Sequence, residues 1–148
     1  MYRLPRGPTV KLLTLLMVAG SAHAGTVDVA FDIKPTSCPN PFNPGEPLLN
    51  GTVPTAVLGD DDVDAARVVR STLVIVVPEG GGLGEILIPP IHTGLEDVAT
   101  PVEDNTDCAC TEDGPDGYTD LTAHFDHDAV EAALGSVLPG DEIPLCIR

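Results

Sequence analysis

Proline and glycine punctuate this chain so often that short strands, and little helix, fit between them. Each occurs fifteen times in 148 residues. A proline inside a helix removes a hydrogen bond and clashes with the preceding turn, and in a sheet it is confined to edges and bulges. The densest run holds Pro35, Pro39, Pro41, Pro44 and Pro47. It excludes helix and central strand, so residues 35–47 read as an extended, ordered excursion pinned by Cys38. Before it, residues 26–34 place Val27, Val29, Phe31 and Ile33 on one face, the pattern of a half-buried strand. The Asn50-Gly51 turn signal leads to a strand over 53–58. Gly59 and Asp60 to Asp62 form an acidic turn, followed by one helical turn over 64–68. Residues 71–77 are an apolar, β-branched run expected in the core. Four glycines make 79–84 a loop, and 85–91, broken by Pro89-Pro90, belongs near a sheet edge. Residues 118–125 alternate again, with Tyr118, Leu121 and Phe125 competing for the inside, and 143–147 start a last strand. The only extended helix is predicted over 126–134, with Asp126 as N-cap and Gly135 closing it. The pattern predicts a mostly β fold: a small, Ig-like β-sandwich with one short helix and long acidic and Pro-rich loops.

The N-terminus reads as an export signal. Arg3, Arg6 and Lys11 precede the apolar stretch 12–19, and Ala22-His23-Ala24 supplies an A-x-A cleavage site. The apolar run is shorter than the roughly 20 residues a spanning helix needs. Residues 1–24 are expected to be removed, leaving 25–148 as one domain. The mature chain is expected to be secreted, periplasmic or at the cell surface, without inserting into a membrane. All 23 acidic residues lie in that part, against Lys34, Arg67, Arg70 and Arg148. Loss of the three N-terminal cations makes the formal charge of −16 more negative by three. Nucleic acid phosphates and anionic membranes repel such a surface.

Cys38, Cys108, Cys110 and Cys146 all fall in the exported part. An even number in an oxidising compartment points to disulfides. Either Cys108 and Cys110 close a local bridge while Cys38 pairs with Cys146, or both loop cysteines reach out to the other two. A C-x-C with two distant partners is a poor match to zinc-site spacing.

Residues 104–128 hold the densest chemistry. Asp104, Asp107, Glu112, Asp113, Asp116 and Asp120 crowd around Gly114 and Gly117, which let the backbone turn tightly. Carboxylates this close repel unless solvent or a cation offsets their charge. A hard cation such as calcium takes six to eight oxygen ligands, so this loop is its natural place. EF-hand spacing does not fit. Asp116, Gly117 and Asp120 fill positions five, six and nine, but Gly114 falls where a ligand belongs and Ala123 where the bidentate Glu should be.

Two stretches carry a resemblance. Phe31-Asp-Ile-Lys-Pro-Thr-Ser-Cys-Pro-Asn-Pro-Phe-Asn43, followed by Val53-Pro-Thr-Ala-Val-Leu-Gly59, resembles the opening of a secreted bacterial and archaeal β-sandwich module with an I-D-I-K-P-G-S-C-P-N-P-like signature. Glu96-Asp-Val-Ala-Thr-Pro101 and Gly114-Pro-Asp-Gly-Tyr-Thr-Asp-Leu-Thr-Ala-His-Phe-Asp126 look like its second signature, an acidic stretch similar to thrombospondin type 3 calcium loops. The resemblance covers most of residues 27–148. It implies a non-catalytic extracellular module with a structural or protein-interaction role. Two departures stand out. The acidic loop is split by residues 100–111, and the chain ends within the strand at 143–147, as in a member lacking its last strand or an incomplete reading frame. A missing strand would leave an unpaired sheet edge. The calcium site expected in this loop draws on Asp97, Asp113, Asp116 and Asp120, with Asp97 brought in by the fold.

The competing functions have less behind them. A carbohydrate-binding or adhesion module would stack surface glycans on aromatic faces, and this chain has no Trp. Its mature part offers Tyr118, Phe31, Phe42 and Phe125, most of which the core needs. A metal-dependent hydrolase needs a nucleophile with a base, or an open metal site with three ligands. The chain has no G-x-S-x-G and no H-E-x-x-H. His92, His124 and His127 are candidate ligands, but a strand ending at 125 and a helix starting at 126 put the last two on different elements. Asn50-Gly51-Thr52 is a glycosylation sequon, meaningful only where that machinery exists.

Overall fold

A computed structural model describes residues 29–45, 51–78, 84–102, 110–138 and 140–148. The export segment 1–24, Asn50 of the sequon, most of the glycine loop, Asp104, Asp107 and Cys108 lie outside the described residues. Among the described residues, seven strands and one α-helix run in the order β1 (Phe31–Ile33), β2 (Thr52–Val57), β3 (Ile75–Pro78), β4 (Glu85–Ile88), β5 (His92–Glu96), β6 (Asp120–Asp126), α1 (His127–Leu134) and β7 (Cys146–Ile147). Two single 3₁₀ turns, Ala65–Arg67 and Arg70–Thr72, lie between β2 and β3.

The strands form two antiparallel sheets, one of four in the order β1-β2-β6-β5 and one of three in the order β4-β3-β7. Register explains which residues share a face. Val53, Thr55 and Val57 on β2 oppose Phe125, Ala123 and Leu121 on β6, so one side of the sheet is apolar. That side meets Ile75, Val77 and Ile88 of the second sheet, and Val130, Ala133 and Leu134 of α1 complete the same core. Phe125 is fully buried at its centre. On the opposite face of the four-stranded sheet a second small cluster, Ala56, Leu58 and Ala99 with Ala30 and Val98 packed on it, seats the start of the acidic loop.

The expected helix is present with the expected ends. Asp126 Oδ1 accepts from Ala129 N–H at 2.8 Å, and Gly135, at φ 70°, donates back to Glu131 O. Asp64 caps the first 3₁₀ turn in the same manner. The strand expected over 71–77 starts only at Ile75, because residues 70–72 close a 3₁₀ turn in which Thr72 bonds Val69 O through both its N–H and its hydroxyl. The strand expected over 118–125 runs two residues later at its start, and Tyr118 stands exposed rather than inside. β5 is a strand that the sequence pattern did not reveal. Its His-Thr-Gly-Leu-Glu lacks an apolar alternation, and pairing with β6 from His92↔His124 to Glu96↔Asp120 holds it in place. The last strand is short, Cys146–Ile147, against Val76 and Ile75. No described helix is long and apolar enough to cross a membrane.

Candidate functional site

The acidic loop folds onto the amino end of β6, and two carboxylates hold it there through the protein's own amides. Asp120 is fully buried. Its Oδ1 accepts from Gly59 N–H at 2.9 Å, and its Oδ2 from Val98 N–H at 2.7 Å and Ala99 N–H at 3.2 Å. Charge-assisted bonds to three amides compensate the burial of this carboxylate. Gly59 must be glycine for this contact. A Cβ there would lie 2.4 Å from the Thr119 carbonyl oxygen.

Asp97 makes the matching contact outside. Its two oxygens accept from Asp116 N–H at 3.0 Å and Gly117 N–H at 2.9 Å, which fixes a turn that Gly117 enters at φ 100°. Asp116 in turn accepts from Tyr118 N–H at 2.9 Å. The Tyr118 hydroxyl donates to Asp61 Oδ1, bringing the Asp60 to Asp62 turn against the same corner. The Asp61 hydrogen bond and charge, with smaller contributions from Asp116 and Asp60, push the Tyr118 phenol above its ordinary value. Asp113 is exposed, with its N–H bonded to Thr111 Oγ1 and its carbonyl to Thr100 N–H.

The four aspartates expected to share one ion are therefore split in purpose. Asp97 and Asp116 belong to one turn, Asp113 stands apart in solvent, and Asp120 is withdrawn into the fold with both oxygens bonded to amides. They do not form a group whose ligand atoms lie within 4.8 Å of one another. Asp120, expected as a ligand, is placed as a buried anchor on which Gly59, Val98 and Ala99, distant in sequence, converge. Asp60 and Asp61 join the corner instead. Their sequence signal was the acidic turn after Gly59, which on its own says nothing of its neighbour Tyr118.

The far side of the loop is stapled. Cys38 is bonded to Cys110 with Cα atoms 5.3 Å apart, tying the Pro-rich excursion to the acidic loop. This excludes both a Cys108–Cys110 bridge and a Cys38–Cys146 bridge, because each needs a cysteine already bonded here, and it agrees with the alternative in which Cys110 reaches out to Cys38. Cys146 sits exposed on β7, in the other sheet. Beside the staple, Asp32 on β1 is buried and accepts from Asn40 Nδ2 at 3.1 Å. Burial pushes its carboxyl above the ordinary 3.8, and bonds from Asn40 and from the Thr111 and Ile33 backbone only partly offset this.

The histidines divide as the strand and helix assignments require. His92 and His124 are cross-strand neighbours, ring centroids 5.8 Å apart, while His127 is buried in the first turn of α1. On the outer face of the four-stranded sheet a cleft of about 350 Å³ is lined by Lys34, Pro54, Glu96, Thr122 and His124, among others, and by no Phe or Tyr. No protein-family model matches the chain, no curated protein matches it, and no solved structure matches it.

Proposed function

We propose that this chain is a non-catalytic, exported Ig-like β-sandwich module whose acidic corner takes a calcium ion on its outward carboxylates, in a structural or protein-interaction role. The observation that carries this reading is the meeting of Asp61 and Asp116 at the Tyr118 turn, whose backbone Asp97 already fixes. Calcium's remaining ligands come from water and loop carbonyls. The resemblance of the two signature stretches to a secreted calcium-loop module supports the same assignment.

Sites of this kind in extracellular modules bind calcium with Kd of about 10⁻⁴–10⁻³ M. At about 10 mM calcium, mass action then stabilises the fold by about 1.4–2.7 kcal/mol, a rise of roughly 5–10 °C in melting temperature. Melting after chelator dialysis, with calcium chloride against sodium chloride of matched ionic strength, should give this rise. A paired Asp61→Asn, Asp116→Asn variant should lose most of it. An equal rise in sodium chloride reduces the corner to a solvated acidic surface.

A further inference from the structure

At the carboxyl end of β6 the chain passes straight into α1, and the first turn of that helix assembles a second group of ligand-type side chains. His127 Nδ1 lies 3.6 Å from Asp128 Oδ1 and 3.9 Å from Glu131 Oε2. Donor atoms of all three residues fall within 4.8 Å of one another. The imidazole is held firmly: its side chain is 5% exposed, and its ring stacks on Phe42 with centroids 4.7 Å apart and planes 14° from parallel. Glu131 is held as well, since its Oε1 accepts from Gly45 N–H at 2.7 Å while Oε2 is the oxygen nearer the ring.

Despite its burial, His127 Nδ1 has no hydrogen-bond partner among the described residues. Both carboxylate oxygens are too far for a hydrogen bond, and an unmet buried nitrogen costs about 1–3 kcal/mol. A metal ion between the three groups removes that cost. Imidazole nitrogen and carboxylate oxygen sit about 2.0–2.2 Å from zinc, which places neighbouring ligand atoms about 3.0–3.6 Å apart. The two separations to the imidazole nitrogen need to close by only a few tenths of an ångström, and Asp128 is exposed and free to adjust.

We propose that His127, Asp128 and Glu131 form a binding site for a divalent ion of the zinc class, with water completing the shell. One buried nitrogen among oxygens disfavours calcium, which takes oxygen ligands throughout, and suits zinc and its first-row neighbours. The positive end of the α1 dipole opposes a cation here, but it amounts to about half a charge against two carboxylates.

Titration calorimetry with zinc chloride on chelator-dialysed protein tests this, in a Cys108→Ser, Cys146→Ser background so that no cysteine outside the Cys38–Cys110 bridge competes. One zinc per chain is expected. Asp128→Asn and Glu131→Gln should each weaken binding by about tenfold or more, the range seen when groups supporting a metal site are removed, and together they should abolish it. Circular dichroism melting of both variants separates lost binding from lost folding. No zinc uptake by the parent, unchanged affinity in the double variant, or calcium displacing zinc one for one would each overturn the proposal. The variants leave Asp61, Asp97 and Asp116 intact, so the calcium response of the acidic corner reads out separately.

Discussion

The two ends of β6 handle acidic side chains in opposite ways. At the amino end, Asp120 and its neighbour Asp97 find five backbone N–H donors between them, and the carboxylates themselves organise the loop. At the carboxyl end, Asp128 and Glu131 face an imidazole nitrogen that no described residue satisfies. A carboxylate saturated by amides is architecture, and any ion near it adds a modest increment. A set of donors with an unmet member is incomplete, and an ion has more to contribute there. Density of acidic residues in the sequence pointed to the first end alone, yet the shortfall in partners lies at the second.

The most severe way to break this contrast is Asp120→Ala. It strips the acceptor from three N–H groups at once, and at about 1–3 kcal/mol for each unmet donor, partly relieved by water, stability should fall by about 3–5 kcal/mol in urea unfolding. A loss below about 1 kcal/mol would mean that the corner is not held by its own amides. Removing the staple with Cys38→Ser and Cys110→Ser should follow, at about 2–4 kcal/mol, since the bridge spans 72 positions in the chain. The effect should be read by the same unfolding curves under non-reducing conditions. The smallest and most selective effect concerns Asp32. Its carboxyl titrates above 3.8 in the native state, chiefly through burial, so the folded state holds the proton more tightly than the unfolded one. The stability this group contributes is fully present below 3.8 and is lost as pH rises through the raised native value. Asp32→Asn should flatten that part of the stability–pH curve and leave the Asp120 anchor unchanged. A curve identical to the parent's would place the titration elsewhere.

Elements whose signals are local were legible from sequence. Asp126 and Gly135 bracket α1 because capping needs only residues within a turn of the helix end, and Val29, Phe31 and Ile33 fall on the face their alternation assigns. What depended on distant partners was not legible. β5 exists because β6 offers it a ladder, not because His92-Thr-Gly-Leu-Glu96 favours a strand. Asp120 and Asp116 look alike in sequence, each an aspartate beside the Gly117 turn. Only the arrival of the 59, 98 and 99 amides separates a buried anchor from a solvent-facing candidate ligand. The pairing of Cys38 with Cys110 likewise follows from the Pro-rich excursion lying over the acidic loop. His127 was visible as a possible ligand, and the strand-to-helix junction already separated it from His124, but its approach to Asp128 and Glu131 within the first turn of α1 was not read from the sequence.

Gly59 sets a boundary for anyone who wishes to remodel this protein. With the Thr119 carbonyl occupying the space of a β-carbon, the position tolerates a single hydrogen, and a library that varies it would spend most of its members on chains that cannot close. Diversity introduced at the exposed Asp113, which ties into the loop through its backbone, would instead retune recognition on a scaffold left intact.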